Sequence, residues 1–286
     1  MANIRLIRQR IRGVSNIAKI TKAMEMIAAS RMRRAQERGL AGRPYSEKIT
    51  QVIAALAALP MEGKALHPLL QRRSVAKIAV VHITPDRGLC GGLVGNVNRK
   101  AASFILEQQA VAVKLVTVGR KGFDFMRRSS QDIVAEFIGL GDRPSLLDTL
   151  PISRIIIDDF SSGAIDEVYL SYTRFISTMT QEPVLEKILP TEPAPIPTIQ
   201  NVGYIYEPNP VLVLGELLPR FIEMQVYHAI LEAVASEQSA RMVAMRNATD
   251  NASELIDDLT LMYNKERQEM ITKELLDITG GTAALA

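Results

Sequence analysis

Residues 221–270 read FIEMQVYHAILEAVASEQSARMVAMRNATDNASELIDDLTLMYNKERQEM, and this stretch decides the architecture. Phe221, Met224, His228, Leu231, Ala235, Gln238, Met242 and Met245 follow one another in steps of three and four. Thr249, Ala252, Ile256, Leu259, Tyr263, Glu266 and Met270 continue the rhythm. A seam of that kind, sustained over roughly six repeats or more, predicts a coiled coil. Neither Pro nor Gly occurs between Arg220 and Thr279. Gly215 and Pro219 are expected to punctuate the start, and Gly280–Gly281 to end the helix. Ala, Gln, Thr and Met at seam positions make the seam close and soft.

The other end of the chain has a matching pattern. Ile4, Ile7, Ile11 and Val14 form a stripe, which Ile17, Ile20, Met24 and Ile27 repeat after a phase break. Gly39, Gly42 and Pro44 mark a possible weak point before Ile49, Val52, Ile53 and Leu56 resume the stripe. Pro60 and Gly63 end it. A helix of this length spans roughly 80 Å at 1.5 Å per residue, so it must protrude or pair with another helix. The expected organisation is an N-terminal coiled-coil helix over 1–60 and a C-terminal one over 208–286, paired antiparallel. Charge supports the pairing. Residues 1–50 hold 12 Lys/Arg against 3 Asp/Glu, and residues 211–286 hold 6 against 12. The net charge of +3 hides that division. Opposite ends invite association with each other or with oppositely charged partners.

The middle, 75–195, reads as a Rossmann-like α/β domain. Strands are expected at 76–83, 111–118, 133–138, 168–176 and 184–189, the last two as a hairpin or edge pair. Helices are expected at 93–109, 121–128 and from about Pro151 to Phe160. Four prolines between Pro190 and Pro197 form a linker. Strands alternating with helices predict a mostly parallel sheet covered on both faces.

Composition narrows the class. Hydrophobic residues at 47% and charged residues at 23% exclude a disordered chain. One cysteine, Cys90, cannot close an internal bridge. No apolar run reaches the roughly 18 residues needed to span a bilayer. No signal peptide precedes the first charges, and the basic N-terminal pattern runs on far beyond a transit peptide.

The candidate motifs yield no active site. The loop Asp86-Arg-Gly-Leu-Cys-Gly-Gly-Leu-Val-Gly95 follows a strand and opens a helix, where phosphates bind in many α/β proteins. Its glycine spacing matches neither nucleotide fingerprint. A tight turn is the simpler reading and a nucleotide site the alternative. Cys90 has no second cysteine or loop histidine beside it, and His67, His82 and His228 lack metal-ligand spacing. Asp158–Asp159 and Asp257–Asp258 are adjacent pairs and cannot face each other on a helix. Arg31, Arg34 and Arg38 share one helix face, but no aromatic residue interleaves them, so a protein partner suits them better than nucleic acid. Neither catalytic, cofactor nor metal residues are assigned.

Three strings carry a resemblance. They are Ile20-Thr-Lys-Ala-Met-Glu-Met-Ile-Ala-Ala-Ser-Arg-Met-Arg-Arg-Ala35, Ser236-Glu-Gln-Ser-Ala-Arg-Met-Val-Ala-Met-Arg-Asn-Ala-Thr-Asp-Asn251, and the ending in which Ile271, Thr272, Glu274, Asp277 and Gly281 stand. They resemble the terminal helices and C-terminal signature of the gamma subunit family of F-type ATP synthases. Thr282 stands where that family usually has alanine. The Asp86–Leu93 loop is similar to the family's loop as well. The resemblance implies a rotor shaft without catalytic residues. Its terminal helices would turn inside a hexamer of alpha and beta subunits, and its α/β foot would meet the c-ring of the membrane sector and an epsilon subunit. It implies a peripheral place on the cytoplasmic face of a bacterial membrane, with proton flow as the drive. Met24, Arg31 and Arg34 would face the moving lobes of the catalytic subunits. Arg267, Gln268 and Thr272 would touch a catch loop, and Tyr204 and Glu207 would meet the ring and epsilon. Chloroplast relatives carry an inserted dithiol switch, which a chain with Cys90 alone cannot have.

Overall fold

The computed structural model describes residues 2–57, 67–108, 111–191, 206–207 and 209–284. In chain order the elements are α1 (Ala2–Ala57), a 3-10 turn (Pro68–Leu70), β1 (Lys77–Ile83), α2 (Leu93–Glu107), β2 (Ala112–Val118) and α3 (Arg120–Arg128). There follow β3 (Asp132–Phe137), α4 (Leu146–Ser161), β4 (Glu167–Phe175), β5 (Gln181–Leu189) and α5 (Pro210–Ala284). The chain divides into two compact units, residues 1–28 with 241–286, and residues 29–240.

The larger unit is built on a five-stranded sheet of order β3-β2-β1-β4-β5. The pairs β1–β2, β1–β4 and β2–β3 are parallel, and β4–β5 is antiparallel. The expected mostly parallel sheet with a late hairpin is what forms. Six of the seven residues of β1 are buried, as a central strand covered on both faces requires. Ala79, Val81 and Ile83 pack with Ile152, Ile156 and Phe160 of α4. Ile53 and Leu56 of α1 and Leu218 and Ile222 of α5 join the same core. Ile78 and Val80, pointing the other way, pack with Ala101 of α2 and Met126 of α3. Gly119 turns β2 into α3 at φ +93, and a Cβ there would lie 1.9 Å from the Thr84 carbonyl oxygen. Only glycine fits that turn.

Segments of α1 and α5 also pair within this unit. Ala35 packs with Val234 and Ala235. The backbone of Gly42 lies against His228, whose Cε1 would be 2.7 Å from an added Cβ.

The smaller unit is an antiparallel helix pair. Thr21 and Thr249 meet through their hydroxyls at 2.7 Å, and the Arg8 guanidinium lies over the Tyr263 ring at 5.7 Å from its centroid. Moving from Thr21 back to Arg8 on α1 corresponds to moving forward from Thr249 to Tyr263 on α5, which is antiparallel pairing. The α5 seam is as expected: Met245, Ala252 and Leu259 are buried, and Thr249, Ile256, Tyr263, Glu266 and Met270 are half-buried among exposed neighbours.

The α1 seam differs from expectation. There is no phase break. After Val14 the inward positions are Ala18, Thr21, Glu25 and Ala28, with Thr21 and Ala28 buried. Ile17, Ile20 and Ile27 are 53%, 59% and 52% exposed. The apolar residues read as the seam form a second, outward stripe, because small residues let the two backbones approach while isoleucines would hold them apart.

Four further features of the helices differ. α4 begins at Leu146 rather than near Pro151, because Ser145 and Asp148 form a reciprocal capping box. Pro151 then lies inside the helix and leaves the carbonyl of exposed Leu147 without its helical donor. α1 runs through Gly39, Gly42 and Pro44 without a break. α5 starts earlier than Gly215, at Pro210, where Asn209 accepts the Leu212 N–H at 2.9 Å and proline suits the first helical position. It continues past Gly280–Gly281 to Ala284, since glycine permits a helix end without compelling one.

Candidate functional site

The glycine loop after β1 does a structural job. Asp86 accepts the Arg120 N–H at 2.9 Å and the Gly139 N–H at 3.0 Å. Its carboxylate therefore occupies the N-terminus of α3, the position where an anion would otherwise be favoured. The same side chain ties the β1–α2 loop to the segment after β3. Leu89 at φ 64 and Gly91 at φ 59 turn the loop left-handed, and Cys90 is buried beneath it.

A histidine–serine pair, which sequence reading passed over, lies inside the foot. His82 Nδ1 is 3.1 Å from Ser171 Oγ and its Nε2 is 2.8 Å from Asn98 Oδ1. All three residues are buried. Burial drives the His82 pKa down to about 4, and the bond to Asn98 opposes that only in part. A neutral imidazole beside a hydroxyl suits nucleophilic chemistry, but no substrate reaches an oxygen this deep. The triad is a polar strut joining β1, β4 and α2. The available signal was a histidine inside an otherwise apolar strand. His67 serves locally, accepting the Leu69 N–H at 3.3 Å and capping the 3-10 turn. Among the described residues no group of three His, Cys, Asp or Glu could hold a metal. No helix among them is long and apolar enough to cross a membrane.

The surface positions singled out in the sequence fall into three groups. Met24 is half-buried on α1, beside the outward isoleucine stripe. Arg31 forms an ion pair with Asp142 at 2.6 Å, and Asp142 also accepts from Gln238 Nε2 at 3.1 Å. Arg34 donates to Ser30 at 2.7 Å and is exposed. Arg267, Gln268 and Thr272 are exposed along less than two turns of α5, where Gln268 and Thr272 line a shallow groove with Lys265 and Leu276. Glu207 is exposed, and Tyr204 lies outside the described residues. These positions, Tyr204 apart, lie on surfaces of the described residues. The helix pair of the smaller unit exposes Leu261, Met262, Leu275, Leu276 and Ile278 besides the α1 isoleucines. That much apolar surface marks a place where another protein sits.

A family model described as ATP synthase matches residues 3–285. The ATP synthase gamma chain of Dehalococcoides mccartyi is 70% identical over 286 residues, covering all of both chains. This chain belongs to the ATP synthase gamma chain family. The gamma chain of Roseiflexus sp. is 51% identical over 289 residues, covering 100% of this chain and 99% of that one. Among solved structures, a chain of the Euglena gracilis mitochondrial ATP synthase, in an assembly with OSCP, F1 and c-ring, aligns with a TM-score of 0.66 at 19% identity. The alignment covers 99% of this chain and 95% of that one. A chain from the central stalk and c-ring of the Tetrahymena thermophila enzyme aligns with a TM-score of 0.60 at 24% identity, covering 80% and 99%. At such identities the solved structures establish the fold. The gamma family therefore accounts for the architecture expected from the sequence, long terminal helices with a parallel-rich sheet between them.

Proposed function

We propose that this chain is the central rotor shaft of a proton-translocating F-type ATP synthase and contributes no catalytic residue. The observation that carries the reading is the match to ATP synthase gamma chains at 70% identity over the full 286 residues. The solved neighbour described as a central stalk with its ring supports it. The membrane c-ring turns the shaft from the foot, and the shaft drives each catalytic subunit through its states.

The physical properties suit the role. Twisting a helix pair means shearing a continuous packed seam, so torque passes along it. The outward stripe of Ile17, Ile20 and Ile27 gives the shaft an apolar surface to turn against an apolar sleeve of alpha and beta subunits. Met24, Arg31 and Arg34 face the lobes of the catalytic subunits, where acidic groups complement the basic N-terminal segment. The Arg31–Asp142 pair is more than a third exposed on both sides. Such a pair contributes about 0.2–1 kcal/mol and is readily exchanged for a partner's carboxylate. Arg267, Gln268 and Thr272 engage a catch loop of those subunits, and Glu207 and Tyr204 meet the ring and the epsilon subunit. The chain sits peripherally on the cytoplasmic face of the bacterial membrane.

Purification of the native complex tests the assembly. The chain should copurify with several larger subunits and hydrolyse little ATP alone; a stable solitary monomer with its own activity removes the rotor reading. Arg267→Ala and Gln268→Ala, placed in the complex, should lower ATP-driven proton pumping several-fold. Unchanged coupled synthesis takes those two positions off the contact surface.

A further inference from the structure

On the rotor reading, we propose that two loops of the foot form a polar collar that locks α5 against turning about its own axis, with Ser236, Gln238 and Ser239 as its positioning residues. These three stand within about one turn of α5, and each is at most 1% exposed.

Each bonds a different piece of the foot. Ser236 Oγ donates to the carbonyl of Thr173, near the end of β4, at 2.9 Å. Ser239 Oγ donates to the Thr178 carbonyl in the β4–β5 turn at 2.9 Å and accepts from Gln181 Nε2 at 3.3 Å. Gln238 Nε2 donates to Asp142 in the β3–α4 loop, whose other carboxylate oxygen pairs with Arg31 of α1. Both loops are braced. Ser177 Oγ closes the β4–β5 turn by accepting the N–H groups of Met179 and Thr180 at 3.3 and 3.1 Å. The β3–α4 loop is fixed at Gly139 by Asp86 and at Ser145 by the capping box.

Folding alone does not account for this cluster. Gln238 Oε1 has no hydrogen-bond partner among the described residues. Burying such a group is unfavourable, and an apolar residue at that position would avoid it. What the amide supplies is direction. At roughly 100° per residue, Ser236 and Gln238 lie about 160° apart around the helix, and Ser239 about 60° from Ser236. The collar therefore holds α5 from opposing sides. Side-chain atoms lie roughly 5 Å from a helix axis, so a turn of about 30° would shift them by about 2.6 Å and break its bonds. The apolar contacts at the same level, Ala35 with Val234 and Ala235, carry no such direction. α5 runs unbroken to Ala284, so the collar lets the foot turn the helix without slack.

The torsional stiffness of the assembled complex tests this. It is read from the thermal angular fluctuation of a bead fixed to the foot while the catalytic subunits are stalled. The triple variant Ser236→Ala/Gln238→Met/Ser239→Ala should at least double the variance of that fluctuation. Gln238→Met alone, which nearly conserves volume, should raise it by at least half and decides the question where the triple variant fails to assemble. Ile156→Val, in the α4 core, should lower the melting temperature and leave the variance unchanged. The collar is overturned by an unchanged variance in the assembled collar variants, or by an equal rise in Ile156→Val. Failure of the wild-type chain to assemble with larger subunits removes the rotor reading instead.

Discussion

Thr21 and Thr249, 228 residues apart in sequence, touch through their hydroxyls at 2.7 Å within a helix-pair seam. A shared hydroxyl contact sets the axial register there, since a shift of either helix separates the two groups. Changing one threonine to valine leaves the other hydroxyl without that partner and should cost about 1 kcal/mol. The double variant Thr21→Val/Thr249→Val should recover most of the loss, because two valines pack as an apolar pair. Urea unfolding of the three variants, closed as a double-mutant cycle, checks this.

Gly13 and Gly42 both lie inside α1, yet alanine should act oppositely at the two. Nothing lies within 4 Å of an added Cβ at Gly13, so Gly13→Ala should stabilise the chain by about 0.5–1 kcal/mol through helix propensity. At Gly42 the new methyl meets the His228 ring at 2.7 Å. Displacing that ring should offset the propensity gain and leave Gly42→Ala neutral to about 1 kcal/mol destabilised. Thermal melting of both variants distinguishes the cases.

His82 makes the foot acid-sensitive. Its folded pKa is depressed to about 4, whereas the unfolded chain takes up the proton near the ordinary histidine value of 6.5. Between those values the unfolded state binds more protons. The stability it contributes is therefore complete above about pH 6.5 and declines as the pH falls towards 4, by roughly 3 kcal/mol at the lower limit. Denaturant midpoints across that range should follow this slope, and His82→Gln should flatten it.

Asp86 holds two backbone N–H groups from different loops. Asp86→Ala should cost about 2 kcal/mol and raise hydrogen exchange at Arg120 and Gly139. Raised exchange confined to one of the two amides would sink the idea of a common clamp.

Ile20 and Ala28 separate function from folding. Ile20 is 59% exposed, so Ile20→Glu should leave the melting temperature of the chain within about a degree or two while reducing ATP synthesis by the assembled complex. Ala28 is 1% exposed in the seam, and Ala28→Leu should destabilise the chain by about 1–3 kcal/mol. A large melting shift for Ile20→Glu contradicts the outward placement of the stripe.

The element types were legible wherever local chemistry decided them. The run Ile78–Ile83 is apolar but for His82 because a central parallel strand is covered on both faces, and the period of α5 appears directly in its seam. The start of α4 is written in the capping spacing of Ser145 and Asp148, whereas Pro151 is a helix-start signal that lies inside the helix. The candidate surface positions rested on resemblance, since an exposed arginine looks the same in sequence whether or not a partner meets it. The collar around Gln238 was not legible at all, because its partners come from α1, β4, the β3–α4 loop and the β4–β5 turn.

By itself the sequence determined that two long helices flank an α/β unit, and its terminal strings pointed to the family. Periodicity and capping are local, and they survive in a linear string. Only the tertiary structure decided which stripe of α1 faces α5. Hydrophobicity favoured Ile17, Ile20 and Ile27, while close packing of two backbones favoured Ala18, Thr21 and Ala28. Interhelical distance is a property of the pair, so no reading of one helix contains it.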